Sequence, residues 1–192
     1  MTGLEEAPRW VDAAPDRPLP FWRSLRDDLA AYRVALSCGR VRVILAESGF
    51  HAGLLYRLAH RLHHTLRPLG PLFSASCTWL LRHLYGCMIA PTARLHGGLF
   101  LPNPLGIVLG PGASIGPGSH IYQHVTLGGA PDQIGLPRIG SDARIYASAV
   151  LIGPITLGNR VLIGALAVVD RDVPSDTAVR CPPADFDPLP ER

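Results

Sequence analysis

Lysine is missing from this chain: all 18 basic residues are arginine, which removes any Schiff-base or lysine general-base chemistry. No run of basic residues occurs and the formal net charge is only +3, so the electrostatic footprint of a nucleic-acid-binding protein is absent. The four cysteines, Cys38, Cys77, Cys87 and Cys181, are far apart and form no CxxC pair, which excludes a zinc ribbon and a redox motif and fits a reducing, cytoplasmic setting. No apolar run is long enough to cross a bilayer, because the most apolar stretch, Leu69 to Leu81, stops at Arg82 and His83. Met1 to Pro20 carries Glu5, Glu6, Asp12 and Asp16 without an apolar core, so it does not read as a secretory signal. The expectation is a soluble protein with no nucleic-acid or membrane partner.

What is present is a six-residue beat. Ile89, Leu95 and Leu101 are six apart, as are Leu109, Ile115, Ile121 and Leu127, and then Ile139, Ile145, Leu151, Leu157, Ile163 and Val169. A large aliphatic at every sixth position, often followed by glycine as in Leu109-Gly110, Ile115-Gly116 and Ile163-Gly164, is a hexapeptide repeat. Each repeat makes one short strand and three strands make one triangular coil, which hides its aliphatic row only by stacking on the next coil. Two interruptions, Leu101 to Leu109 and Leu127 to Ile139, eject loops from this rigid frame, where such folds place function. Ahead of the array, apolar residues at helical spacing (Leu25, Leu29, Tyr32, Leu36; then Leu54, Leu55, Leu58, Leu62) predict helices. Pro68 and Gly70 separate a further one over about Pro71 to Tyr85, giving three short helices that form a cap. The predicted organisation is a flexible N-terminus (1–20), an α-helical domain (21–87), a parallel β-helix (88–173) and a Pro- and Asp-rich C-terminal tail (174–192).

Three segments resemble the serine O-acetyltransferases among the hexapeptide acyltransferases. Gly49-Phe50-His51-Ala52 with Tyr56-Arg57 and His60 is similar to that family's GFHAxxxYRxxH signature, Gly106-Ile107-Val108-Leu109-Gly110 to its GIVxG segment, and Val125-Thr126-Leu127-Gly128-Gly129 to its VTLGG segment. The resemblance runs from about Phe21 to Ala184. It implies a left-handed parallel β-helix, homotrimers that can pair into hexamers, and acetyl-CoA as co-substrate in the groove between subunits. It further implies that Ala147 and Ala165 let CoA approach the backbone, with Thr126, Gly128 and Gly129 flanking the thioester.

The resemblance also exposes departures. Where the family carries an Asp-His pair before its GIV segment, the His being the general base, this chain reads Pro102-Asn103. The Asp that orients that base falls near Met88, a second loop His aligns with Leu136, its neighbouring Arg with Gly135, and a substrate-binding Asp falls near Val34. A hydroxyl attacking a thioester near neutral pH needs a base. Asn103 has no titrating group, yet it can hold a hydroxyl or an oxyanion by hydrogen bonds. His124, directly before the VTLGG segment, is the leading substitute base, ahead of His96 and His120; His51 and His60 read as structural, and His63-His64 as solvent-facing.

Three functional readings follow. The first is an acyl-CoA-dependent O-acyltransferase whose acceptor need not be free serine, with Asn103 and His124 at its centre, no metal, and Asp132 greeting an amine of the acceptor. The second is a catalytically inactive CoA-binding or scaffold paralogue. The third is a trimeric zinc enzyme of the gamma carbonic anhydrase type, using His120, His124 and a neighbour's histidine. The family's sulfhydrylase-docking tail ends in Ile, whereas this chain ends Leu189-Pro190-Glu191-Arg192.

Overall fold

The computed structural model describes residues 19–181 apart from 67 and 132, so Asp132 and most of the two expected tails lie outside the described residues. Among the described residues four helices precede the strands where the sequence predicts three: α1 (Phe21–Leu36), α2 (Arg40–Ala46), α3 (Ser48–Thr65) and α4 (Gly70–Tyr85). Helix α1 stops at Ser37, which turns left-handed with φ 48°, and α2 is a single short segment after the break. Helix α4 carries proline in its first turn and ends on left-handed Gly86, whose N–H returns to the carbonyl of Arg82.

Of the stripe predicted for α1 only Tyr32 is fully buried. Ser24, Asp28 and Tyr32 are buried, Leu25 and Leu29 only partly, and Leu36 is exposed. Helix α3 likewise buries Phe50, Ala52, Gly53, Tyr56, Arg57, Ala59 and His60, while Leu58 faces outward. The reason lies in what these helices cover, which is the open backbone edge of the first coil. The Tyr56 hydroxyl donates to the Ala93 carbonyl (2.7 Å) and accepts from the Leu95 N–H (3.1 Å). Tyr32 does the same for Leu101, donating to its carbonyl at 2.9 Å and accepting from its N–H at 3.0 Å. Arg57 donates to the carbonyls of Leu95 and His96, and a carboxylate oxygen of Asp28 accepts from the Leu99 N–H. Asp28 and Arg57 are joined by two hydrogen bonds of 2.5 and 2.7 Å with both side chains almost wholly buried. Burial pushes the Asp28 carboxyl up, and the Arg57 charge pulls it back. Side chains thus stand in for a missing strand, so the buried face had to be polar.

Below the cap, thirteen short strands among the described residues wind around three faces. Face one stacks β1 (Met88–Ile89), β3 (Val108–Leu109), β6 (Thr126–Gly128), β9 (Val150–Ile152) and β12 (Val168–Val169). Face two stacks β2 (Arg94–Leu95), β4 (Ser114–Ile115), β7 (Arg138–Ile139) and β10 (Thr156–Leu157). Face three stacks β5 (His120–Ile121), β8 (Arg144–Ile145), β11 (Leu162–Ile163) and β13 (Ala178–Val179), with Phe100 bridged to His120 above them. All pairings are parallel, and their register sets the six-spaced aliphatics above one another: Leu95, Ile115, Ile139 and Leu157 on face two, for example. These residues are fully buried and form one continuous core. Each contributes on the order of 1.5–3 kcal/mol of burial. The stack runs past Val173, where the sequence reading ends it. Val173 is buried beside Leu157, and Val179, six residues later, restarts the beat on face three.

Two predictions follow from this packing. Ile139→Ala, in the middle of the inward row, is expected to cost about 2–5 kcal/mol in denaturant unfolding, whereas Ile134→Ala, fully exposed in the long loop, stays within about 0.5 kcal/mol; equal losses would contradict the assigned register. Tyr56→Phe keeps the ring but orphans the buried Ala93 carbonyl and Leu95 N–H, and a loss of roughly 1–3 kcal/mol is expected.

Candidate functional site

The two insertions leave from different corners but border the same face. Residues 102–107 form the turn from face three to face one, and residues 129–137 the turn from face one to face two. The first is tied down by the Cys87 thiol, which donates to the Pro104 carbonyl; burial pushes this thiol up to about 11, so it is a structural group. The second folds back on the coils. Leu136 packs over Gly110 and lies beside Gly129, and Gly135, at φ 130°, rests on Pro154. Leu136 is therefore a packing residue against the core, at the position where the resemblance places a histidine.

The corner from face three to face one carries most of the predicted site. Gly106, His124, Ser148 and Leu166 stack there in successive coils, all left-handed, with φ of 68°, 57°, 60° and 63°. Their register is fixed by backbone bonds from His124 to Leu105 (2.9 Å), Ser148 to Gln123 (2.9 Å) and Leu166 to Ala147 (3.0 Å). Asn103 is exposed in the topmost turn of this corner, and His124 is exposed one coil below. The imidazole of His124 lies across Gly106, so close that a Cβ on Gly106 would collide with Nδ1. Ala147 is half-buried and Ala165 exposed on the next two coils. The corner bonds use the amides of Ser148 and Leu166, while those of Ala147 and Ala165 meet no protein acceptor among the described residues. Thr126 and Gly128 lie on β6, half-buried on face one, and Gly129 is exposed where the long loop begins. One edge thus gathers Asn103, His124, Ala147 and Ala165, and the adjoining face brings Thr126, Gly128 and Gly129 beside it.

The remaining histidines sit elsewhere. His120 is half-buried on face three, edge-on to Phe100 at 5.0 Å, and burial together with the Arg144 charge lowers its pKa. It lies on a flat face and His124 at the corner, and no group of three potential metal ligands gathers among the described residues. His96, at the base of the helical cap, is lowered to about 4 by burial and by Arg94 and Arg57. His51 bonds the Ile44 carbonyl at 2.7 Å; His60 bonds the Pro91 carbonyl through Nδ1 and accepts the Leu19 N–H through Nε2. His63 is half-buried against Ser74 and so does not simply face solvent.

Two residues that the sequence reading passes over also belong to this corner. Tyr122 and Tyr146 stack on each other in successive coils, with ring centroids 4.9 Å apart and planes 25° from parallel. The signal was present. The position after the inward aliphatic is glycine at 110, 116, 128, 140, 158 and 164, and tyrosine only at 122 and 146.

A parallel β-helix of hexapeptide coils, capped by helices and ejecting two loops, is the architecture that the resemblance to hexapeptide acyltransferases implies. No family model matches the chain. It is 37% identical over 160 residues to a serine acetyltransferase of Helicobacter pylori, covering 82% of this chain and 88% of that protein. It is 40% identical over 141 residues to the serine acetyltransferase of Synechococcus elongatus, covering 72% of this chain and 57% of the relative. Serine acetyltransferase 2 of Arabidopsis thaliana is 35% identical over 165 residues. The crystal structure of the Neisseria gonorrhoeae serine acetyltransferase in complex with serine superposes with a TM-score of 0.78 at 32% identity, over 86% of this chain and 68% of that one. The chain belongs to the serine acetyltransferase family, and its fold is the left-handed parallel β-helix with a short N-terminal helical region. It spans about half the length of the Synechococcus and Arabidopsis relatives, 57% and 50%.

The neutral histidines of the cap generate a pH prediction. His60 is held near 4 chiefly by burial, against an ordinary value near 6.5, and its Nε2 must stay unprotonated to accept the Leu19 N–H. Between those values the unfolded chain binds the extra proton, so stability is full above about pH 6.5 and falls as the pH drops toward 4. Melting temperature measured at pH 7.0 and 5.0 should fall, and His60→Gln should flatten that dependence; an unchanged slope would mean His60 is not the titrating group.

Proposed function

We propose that this chain is an acetyl-CoA-dependent O-acetyltransferase that works on the serine acetyltransferase frame with a relocated base, His124, and an acceptor other than free serine. The observation that carries the reading is the single corner on which Asn103, His124, Ala147 and Ala165 stack, next to the Thr126–Gly129 strand end. Acetyl-CoA would run down this corner past Ala147 and Ala165, whose small side chains, and whose amides meet no acceptor among the described residues, suit close approach of its pantetheine arm. His124 takes the acceptor proton as the hydroxyl attacks the thioester carbonyl, Asn103 holds the hydroxyl or the oxyanion, and glycine-loop amides stabilise developing charge. The outward row of face one, Met88, Val108, Thr126, Val150 and Val168, is largely apolar and partly exposed, which supports assembly into homotrimers with the groove at the subunit boundary.

A second reading, a CoA-binding paralogue without transfer chemistry, draws on Asn103 in place of a base and on Leu136 packed against the core. One experiment separates them. Thiol release from acetyl-CoA is followed with a panel of hydroxylated acceptors, alongside calorimetric CoA binding. His124→Gln should lower kcat by roughly 100- to 10,000-fold while CoA affinity holds. Acceptor-dependent release that survives this substitution removes His124 as base, and CoA binding without any release supports the non-catalytic paralogue.

A further inference from the structure

The corner and face that carry the site contribute no formal charge of their own, and charge begins on the adjoining elements with Arg144, two residues before Tyr146, and Arg138 at the close of the long loop. Residues 102–109, 122–128, 146–152 and 164–169, which build the turn from face three and the first face on successive coils, contain no Asp, Glu or Arg, and His124 is their one imidazole. The other faces are charged, with Arg94, Arg138 and Arg144 projecting from their strands. A free amino acid presents a carboxylate and an ammonium, and desolvating each without a counter-charge is costly. The polar repertoire here is instead that of neutral hydrogen bonding: Asn103, Gln123, His124, Thr126 and Ser148. Beside it lies the Tyr122–Tyr146 stack, on the same turn as His124 and the coil below, at positions where the array elsewhere prefers glycine.

Resting on the transferase reading above, we infer that the acceptor is an uncharged hydroxyl compound bearing an aromatic ring, which packs on the tyrosine stack while its hydroxyl reaches His124. The hydroxyl oxygen forms a bond to the acetyl carbonyl carbon and the carbon–sulfur bond breaks. The hydroxyl proton passes to His124 and from there to the departing thiolate, leaving the acetyl ester and free CoA. Tyr122 and Tyr146 act on ring binding and not on proton transfer, so they set specificity.

The test compares thiol release by the full chain with three acceptors: L-serine, the neutral N-acetyl-L-serine methyl ester, and the aryl alcohol 2-(4-hydroxyphenyl)ethanol. The expected order of kcat/KM is aryl alcohol, then neutral serine ester, then L-serine. Tyr122→Leu and Tyr146→Gly should each raise KM for the aryl alcohol about three- to tenfold, by a larger factor than they lower kcat, and Tyr146→Phe, which keeps the ring, should restore most of that KM. Melting curves confirm that each variant is folded. L-serine turned over as efficiently as the aryl alcohol would overturn the inference and, with it, the non-serine acceptor of the reading above, while tyrosine variants without effect on the KM for the aryl alcohol would overturn the inference alone; either leaves acetyl transfer from acetyl-CoA standing. Failure of CoA to bind in calorimetry sinks the transferase reading itself; CoA binding with no release from any of the three overturns the inference and favours the non-catalytic paralogue.

Discussion

A parallel β-helix has a beginning, and the first coil presents a row of amides and carbonyls with no strand above it. Here that edge is answered by side chains. The hydroxyls of Tyr32 and Tyr56 each accept one amide and donate to one carbonyl, and the buried Asp28–Arg57 pair completes the row at Leu95, His96 and Leu99. An ion pair so thoroughly buried is a poor source of net stability, because desolvation offsets most of its Coulombic gain. Its value lies in geometry: it joins α1 and α3 to the first coil, and every later coil is hydrogen-bonded in parallel register to the one before.

This also explains what could be read from the residues. The six-residue aliphatic rows translate directly into structure, since an inward side chain in one coil stacks on its counterpart in the next, and Ile115, Ile139 and Leu157 do so without exception. The helices were legible as helices but their buried faces were not. Hydrophobic periodicity points Leu25, Leu54 and Leu58 inward, whereas the helices turn Asp28, Tyr56 and Arg57 to the coil because backbone hydrogen bonds had to be met there. Periodicity carries no information about an unpaired edge elsewhere in the chain.

The site divides in the same way. The resemblance names Ala147 and Ala165 and the sequence singles out Asn103 and His124; that all four share one corner follows from the stacking of the coils across both insertions. The role of Leu136 could not be counted out, because the second insertion leaves the repeat and its fold depends on contacts with Gly110, Gly129 and Pro154. The tyrosine stack is marked in the residues only by tyrosine in place of glycine after the inward aliphatic, at 122 and 146, and the side-by-side placement of those rings depends on the coil register. The corner that carries these groups is stiff. Each turn is locked by a left-handed residue and an inter-coil bond, so the groups are held in place before any ligand arrives.

The contact between His124 and Gly106 ties two sequence positions into a single heritable unit. Because the imidazole occupies the space a side chain at 106 would need, any replacement of that glycine evicts the ring as well as straining the turn at φ 68°. Lineages that keep an imidazole at 124 in this pose are constrained to keep a bare backbone at 106, whereas lineages with a smaller residue at 124 escape the clash with the ring and retain only the demand of the turn. A survey of the two columns across relatives would therefore sort chains carrying this side-chain arrangement from those that merely share the coil.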